Sequence, residues 1–231
     1  MKTLLFLPSL LILFFLASCS KEDANPKVES ITSTSALYEE TEVPLGGLIP
    51  SGWVIVASNG SRNTIRNVNG APYGAEVVVV VGSPTPTGWV FVGSWGSDNL
   101  NTVRRTIRNV NGAPYGVEVA VTVGSTTPAG WVIVGSQVSD NLNTVRNTIR
   151  NVNGAPYGTE VQTIAGSPIP TGWVIIRTQS GPNYATRTLR NLNGALRGTE
   201  VTIVLGSPVP TGWEIVRRNS PSNTNTIRKV N

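Results

Sequence analysis

EVVVVVGSPTPTGWVFV, residues 76–92, holds two apolar runs separated by a turn. The first run follows Glu76 and is all valine, a β-branched residue that suits a pleated surface. The second opens on Trp89 and continues with Val90, Phe91 and Val92. Between them, Gly-Ser-Pro-Thr-Pro-Thr-Gly gathers residues that break helices and make turns. The stretch therefore reads as strand, turn, strand.

The pattern recurs along the chain. Trp53, Trp89, Trp131, Trp173 and Trp213 lie 36, 42, 42 and 40 residues apart. They close the turns IPSGW, TPTGW, TPAGW, IPTGW and VPTGW. Seven residues upstream of each stands a glycine: Gly46, Gly82, Gly124, Gly166 and Gly206. Six further upstream stands a glutamate: Glu40, Glu76, Glu118, Glu160 and Glu200. After each tryptophan strand come a polar loop of variable length and a third run, Thr-Ile-Arg-Asn-Val-Asn in its commonest form. The turn Gly-Ala-Pro-Tyr-Gly then leads into the next unit. The string IRNVNGAPYG is identical at 65–74, 107–116 and 149–158, looser at 189–198 (LRNLNGALRG), and the chain ends in TIRKVN at 226–231. Self-similarity at such a period marks a repeat architecture.

The fold class read from this is all-β: five three-stranded repeats of ~40 residues. In strand one, alternation places Val77, Val79 and Val81 on one face, like Val201, Ile203 and Leu205. Thr122, Gln162 and Thr202 take the other. The last strand three and the first strand one lack the neighbour that Gly-Ala-Pro-Tyr-Gly supplies elsewhere. Pairing 226–231 with 40–45 would close the repeats into a propeller-like ring, with Arg228 opposite Glu40. Unit five keeps Trp213, Ile215, Ile227 and Val230 without an added cap, in line with closure. A ring needs every copy of a strand to point the same way, so the variable loop must cross over or hold a fourth strand, Asn-Thr-Val-Arg at 101–104 and 143–146. The alternative is an open triangular β-solenoid with its three strands on three faces. That form stacks five arginines at about 4.8 Å, which is unfavourable unless they are paired.

Composition agrees with a turn-rich β protein: 231 residues with 24 glycines, 16 prolines and 13% charged residues. The formal net charge is +5, with no histidine and one cysteine.

That cysteine sits near the start. MKTLLFLPSLLILFFLASC has a basic first turn, an apolar core from Leu4 to Leu16, and small residues before Cys19. It reads as a secretory signal, too short and wrongly flanked for a spanning helix. Leu16-Ala17-Ser18-Cys19 resembles the lipobox of bacterial lipoproteins. The resemblance implies cleavage before Cys19 and acylation of Cys19 as the membrane anchor. The next residues, Ser20-Lys21-Glu22-Asp23, resemble the acidic export signal of surface lipoproteins, which implies the outer face of the outer membrane. The organisation is then a signal peptide at 1–18, a lipidated flexible tether at 19–36 and a β domain at 37–231.

Two kinds of repeated side chain invite a functional reading. A hairpin centred on Ala71 puts Arg66 opposite Glu76, and the plainer account of that row is one cross-strand ion pair per unit, about 0.2–1 kcal/mol each. The five repeat tryptophans share a face with Ile55, Phe91, Ile133, Ile175 and Ile215, which makes them core anchors before they are a sugar platform. The variable loops are the better candidates, since insertions in uniform repeats map to one face. They measure 7, 13, 13, 11 and 9 residues between strands two and three. They carry Trp95, Asp98, Asn99, Asn101, Asp140, Asn141, Asn143 and Tyr184. Amides and carboxylates bond hydroxyls and aromatic faces stack on sugar rings, while Asn and Asp also serve simply as turn formers.

Catalysis finds little here. Histidine is absent, Cys19 is committed to the anchor, and there is no His/Cys metal cluster. A two-carboxylate glycosidase needs acids that meet in space, but near-equal units favour repeated binding over one unique site. No cofactor is called for, and the arginines look paired, which argues against nucleic acid. The reading is a non-enzymatic surface lipoprotein acting as a multivalent lectin-like or adhesin module with glycans as the favoured ligand. The alternative is a structural envelope lipoprotein that works by contact with surface proteins.

Overall fold

The computed structural model describes residues 36–95, 103–138, 145–181 and 184–231; of Trp95 and Val138 only the backbone is described. Each unit contributes three strands. Unit one holds β1 (Glu40–Pro44), β2 (Trp53–Ser58) and β3 (Arg62–Asn67). Unit two holds β4 (Glu76–Val80), β5 (Trp89–Trp95) and β6 (Arg104–Asn109). Unit three holds β7 (Glu118–Thr122), β8 (Trp131–Val138) and β9 (Val145–Asn151). Unit four holds β10 (Glu160–Ile164), β11 (Trp173–Gln179) and β12 (Thr186–Asn191). Unit five holds β13 (Glu200–Val204), β14 (Trp213–Asn219) and β15 (Thr224–Lys229), with one turn of 3-10 helix at Ser220–Ser222. The architecture is all-β: five separate three-stranded antiparallel sheets, one per unit.

Within every sheet the third strand is central, giving the orders β1-β3-β2, β4-β6-β5, β7-β9-β8, β10-β12-β11 and β13-β15-β14. The two outer strands are both antiparallel to it, so they run parallel to each other. That arrangement removes the parity difficulty without a fourth strand. Only the variable loop is a hairpin. The proline-rich connection at 45–52 and its copies carry the chain back along the sheet between parallel strands. The would-be fourth strand instead lengthens strand three, with Arg104 opening β6 and Val145 and Arg146 opening β9.

The register corrects three sequence expectations. Arg66 lies opposite Glu40, and Arg108 opposite Glu76, so each arginine meets the glutamate of its own unit. The Gly-Ala-Pro-Tyr-Gly stretch is not a hairpin turn; it passes the chain from one sheet to the next. The pairing of 226–231 with 40–45 does not form, because Thr226 already faces Thr202 on one side and Arg217 on the other, and Arg228 faces Glu200. A triangular solenoid is also ruled out, since the three strands of a unit share one sheet.

The core lies between successive sheets. The first cluster joins Val54, Val68 and Ala71 to Val77, Val79, Trp89 and Ile107 of unit two. Equivalent clusters sit at the next three junctions. Trp53, Trp89, Trp131, Trp173 and Trp213 are all buried, as a core role requires. Val81 and Leu205 are exposed, because strand one ends a residue earlier and they enter the connection. The other face of the tryptophan strand is buried too: Val54, Val90, Val132 and Val174 have no exposed surface and pack on the following unit. At that position in the last sheet stands Glu214, which is exposed.

A hydrogen bond reinforces each junction. The tryptophan strand is an edge strand, and each copy carries a bulge at the same place, as between Ile133 and Gly135. The amide just before the bulge points outward, and a serine of the next unit caps it. Ile55, Phe91, Ile133 and Ile175 donate to the Oγ atoms of Ser83, Ser125, Ser167 and Ser207 at 2.8, 2.9, 2.8 and 2.8 Å. In unit one the serine position is held by Gly47.

Candidate functional site: the two ends of the sheets

Each sheet presents two ends of different character. At one end, where Pro44 pairs with Arg62, the variable loops leave. The shortest closes on Asn59, whose Oδ1 accepts from the amides of Ser61 and Arg62 at 3.1 and 2.8 Å. The loop of unit five turns through Asn223, which adopts φ 50. Of the residues expected to bind ligand here, Asp98, Asn99, Asn101, Asp140, Asn141 and Asn143 lie outside the described residues, as does Cys19, the expected anchor. The Trp95 backbone closes β5 opposite Arg104. Tyr184 is exposed in the connection between β11 and β12, at the same end of its own sheet.

The opposite end is nearly invariant from unit to unit. Here strand three ends in a buried asparagine that ties down the connection to the next sheet. Asn109 donates from Nδ2 to the carbonyls of Ala71 and Pro72 at 2.6 and 3.2 Å. Its Oδ1 accepts from the Asn111 amide at 3.0 Å. Asn151 and Asn191 repeat the arrangement on Ala113 and Ala155. Asn111 in turn reaches the Thr87 carbonyl at 3.1 Å and lies against Gly88. A Cβ at Gly88 would fall 1.9 Å from the Asn111 Oδ1, so this glycine, at φ 78, is required twice over.

Between these ties the sheets leave a groove at each of three successive junctions. The groove between units two and three has a volume of about 520 Å³ and is lined by Pro86, Trp89, Asn111, Thr127, Pro128 and Asn153, among others. Its counterpart between units one and two measures about 300 Å³, and that between units three and four about 520 Å³. All three use the same elements: a Pro-Thr or Pro-Ala step, the edge of a repeat tryptophan, and three asparagines. No charged residue lines any of them. At the fourth junction Lys229 stands where Asn109, Asn151 and Asn191 stand in the others.

Beside the grooves, at the same end, lie the glutamate–arginine pairs. They fall into two states. In units one and five the arginine Nε donates to its glutamate, Arg66 to Glu40 at 2.8 Å and Arg228 to Glu200 at 2.9 Å. In units two, three and four the charges stand 3.8, 3.8 and 3.6 Å apart. There the Nε atoms of Arg108, Arg150 and Arg190 are buried without a hydrogen-bond partner among the described residues. The guanidinium turns instead toward the glycine closing the preceding connection, Gly74, Gly116 or Gly158.

Sequence reasoning saw the proline and asparagine strings as turns and missed the groove they build together. The signal was present: residues that only make turns tolerate exchange, whereas these keep their identity. Among the described residues no group of three His, Cys, Asp or Glu is placed to hold a metal ion. No protein-family model, curated protein or solved structure matches this chain.

Proposed function

We propose that this chain is a lipid-anchored protein of the outer bacterial surface whose repeat domain binds glycans at several equivalent places. The observation that carries the reading is the series of three like grooves at successive junctions, each lined by asparagine, threonine, proline and a tryptophan edge and none by a charge. Such a lining offers hydroxyl-bonding groups and apolar surface together, which suits an uncharged sugar. One groove of this kind binds weakly, but linked copies convert weak contacts into avidity. The lipobox at Leu16-Ala17-Ser18-Cys19 supplies the anchor.

The finer architecture belongs to the same proposal. We read the five sheets as an open row and not a ring. Gly47 takes the serine position in unit one, before which the described residues hold no sheet with an amide to cap, and Glu214 takes the buried valine position in unit five, after which the described residues hold no sheet to cover it.

The test is a glycan array probed with the full-length chain in mild detergent, alongside fractionation of cells carrying Cys19→Ser. Binding to neutral glycans and release of the variant from membranes are expected. An array with no bound glycan sinks the binding reading; a variant that stays in the membrane fraction with its signal cleaved sinks the anchor.

A further inference from the structure

Nearly every residue of IRNVNGAPYG has a task in the fold. In the copy at 107–116, Ile107 and Val110 are buried, Arg108 faces Glu76, and Asn109 and Asn111 tie down the connection. Gly112 and Gly116 take φ 75 and 84. Ala113 packs into the core between units two and three. The carbonyl of Pro114 accepts from the Val117 amide at 3.4 Å. The exception is the tyrosine. Tyr73, Tyr115 and Tyr157 are 39, 43 and 43% exposed. Among the described residues no hydrogen bond holds their hydroxyls.

The chain contains its own control. Between units four and five the same connection reads Ala195-Leu196-Arg197-Gly198. It closes with the same bonds, Gly198 N to the Lys229 carbonyl at 2.8 Å and Thr199 N to the Leu196 carbonyl at 3.1 Å. The turn therefore needs neither the proline nor the tyrosine. Three exposed aromatic rings recur where the fold does not ask for them.

They recur, moreover, only in the units whose glutamate–arginine pair is open. Each tyrosine precedes the glycine against which the arginine Nη2 lies, 3.8 to 3.9 Å from where a Cβ would be. Where Tyr38 replaces the glycine, or Arg197 the tyrosine, the arginine binds its glutamate instead.

We infer that units two, three and four each hold one residue of a neutral glycan chain at this place. The ring face lies on Tyr73, Tyr115 or Tyr157, and a hydroxyl sits against the exposed side of the Arg108–Glu76, Arg150–Glu118 or Arg190–Glu160 pair. A gap of 3.6–3.8 Å is too wide for a direct hydrogen bond. A hydroxyl set to one side of the two atoms bridges them, accepting from the guanidinium and donating to the carboxylate. An acidic ligand gains less, since the glutamate beside the arginine repels it. The sites repeat with the sheets, which stack face to face at about 10 Å, near the length of a disaccharide. The inference rests on the glycan-binding reading and names the residues and the ligand class.

The experiment titrates the full-length chain in mild detergent with neutral hexasaccharides (cello-, manno-, malto- and chito-) and with polygalacturonate as the acidic arm. The triple variant Tyr73→Ala, Tyr115→Ala, Tyr157→Ala should lose neutral-sugar affinity about a hundredfold, since three linked sites go together, with an unchanged thermal midpoint. The double variant Leu196→Pro, Arg197→Tyr should add a fourth site and bind more tightly, a gain that damage to the fold does not mimic. A parent that binds neutral glycans while the triple variant binds equally overturns the tyrosine sites but spares glycan binding. Binding to polygalacturonate alone overturns the neutral class. A parent that binds nothing on the panel or the full array overturns both.

Discussion

Ser167→Ala should loosen one junction and no other. The Ser167 side chain is nearly buried, and its Oγ accepts the outward amide of Ile133 at 2.8 Å across the boundary between units three and four. Alanine removes the acceptor and leaves the donor unpaired against the face of the next sheet, which costs about 1–3 kcal/mol. The second bond of that hydroxyl, to the Pro168 carbonyl at 3.2 Å, adds little because water replaces it readily. A loss of 1–3 kcal/mol corresponds to about 5–150-fold in an opening equilibrium. Amide hydrogen exchange reads it directly: Ile133 should exchange faster by that factor, while Phe91 and Ile175, capped by Ser125 and Ser207, keep their parent rates. Should Ile133 exchange at the parent rate, the serine cap contributes nothing. An even acceleration across all five sheets would mean that the sheets do not open separately, and the stacking of independent units would be wrong.

Other perturbations reach the core and the ends. Val174→Glu places at a fully buried position the residue that unit five carries at 214; an unpaired charge there costs about 3–5 kcal/mol, and limited proteolysis should release unit five from the rest. Ile149→Ala, in the central strand of unit three, should cost about 2–5 kcal/mol, seen as a lower urea midpoint at constant slope. Deleting 224–231 removes the central strand of the last sheet and with it the partner of both β13 and β14. Units one to four should still melt near the parent temperature, whereas collapse of the whole domain would speak for a closed ring. Gly116→Ala should cost about 1–2 kcal/mol for its left-handed backbone, seen as a lower urea midpoint, and leave Arg150 in place, since the new Cβ meets its Nη2 only at contact distance, 3.9 Å.

The amino-acid pattern carried much of this fold on its surface. Period-two valines, tryptophans after Pro-x-Gly, and a recurring Thr-Ile-Arg-Asn run place all fifteen strands, because each signal is local to one strand. Pairing was harder to read. Gly-Ala-Pro-Tyr-Gly has the composition of a hairpin turn, yet the buried asparagine at the end of strand three ties it into a passage between sheets, which shifts every arginine to the glutamate of its own unit. Gly47 and Glu214 are visible as departures from the repeat, but their meaning depends on knowing that the serine reaches backward and the valine faces forward. The grooves draw on two connections from neighbouring units, so no single stretch announces them. Tyr184, expected as a ligand contact, is exposed, and so are Tyr73, Tyr115 and Tyr157, which the sequence reading passed over as parts of a turn.

Because each sheet is completed by its own stretch of chain, the number of sheets is free to change. Trp89 and Trp131 lie 42 residues apart, as do Trp131 and Trp173, and the strings between them are identical at 107–116 and 149–158. Excision or duplication of one such segment rejoins a string to its own copy, so every serine still finds an amide behind it and every valine a sheet ahead. Gly47 and Glu214, the departures in units one and five, lie outside the interchangeable part. On the open-row reading proposed above, recombination between copies would lengthen or shorten the domain in steps of about 10 Å without rebuilding either end sheet, something a ring with a fixed number of blades does not allow.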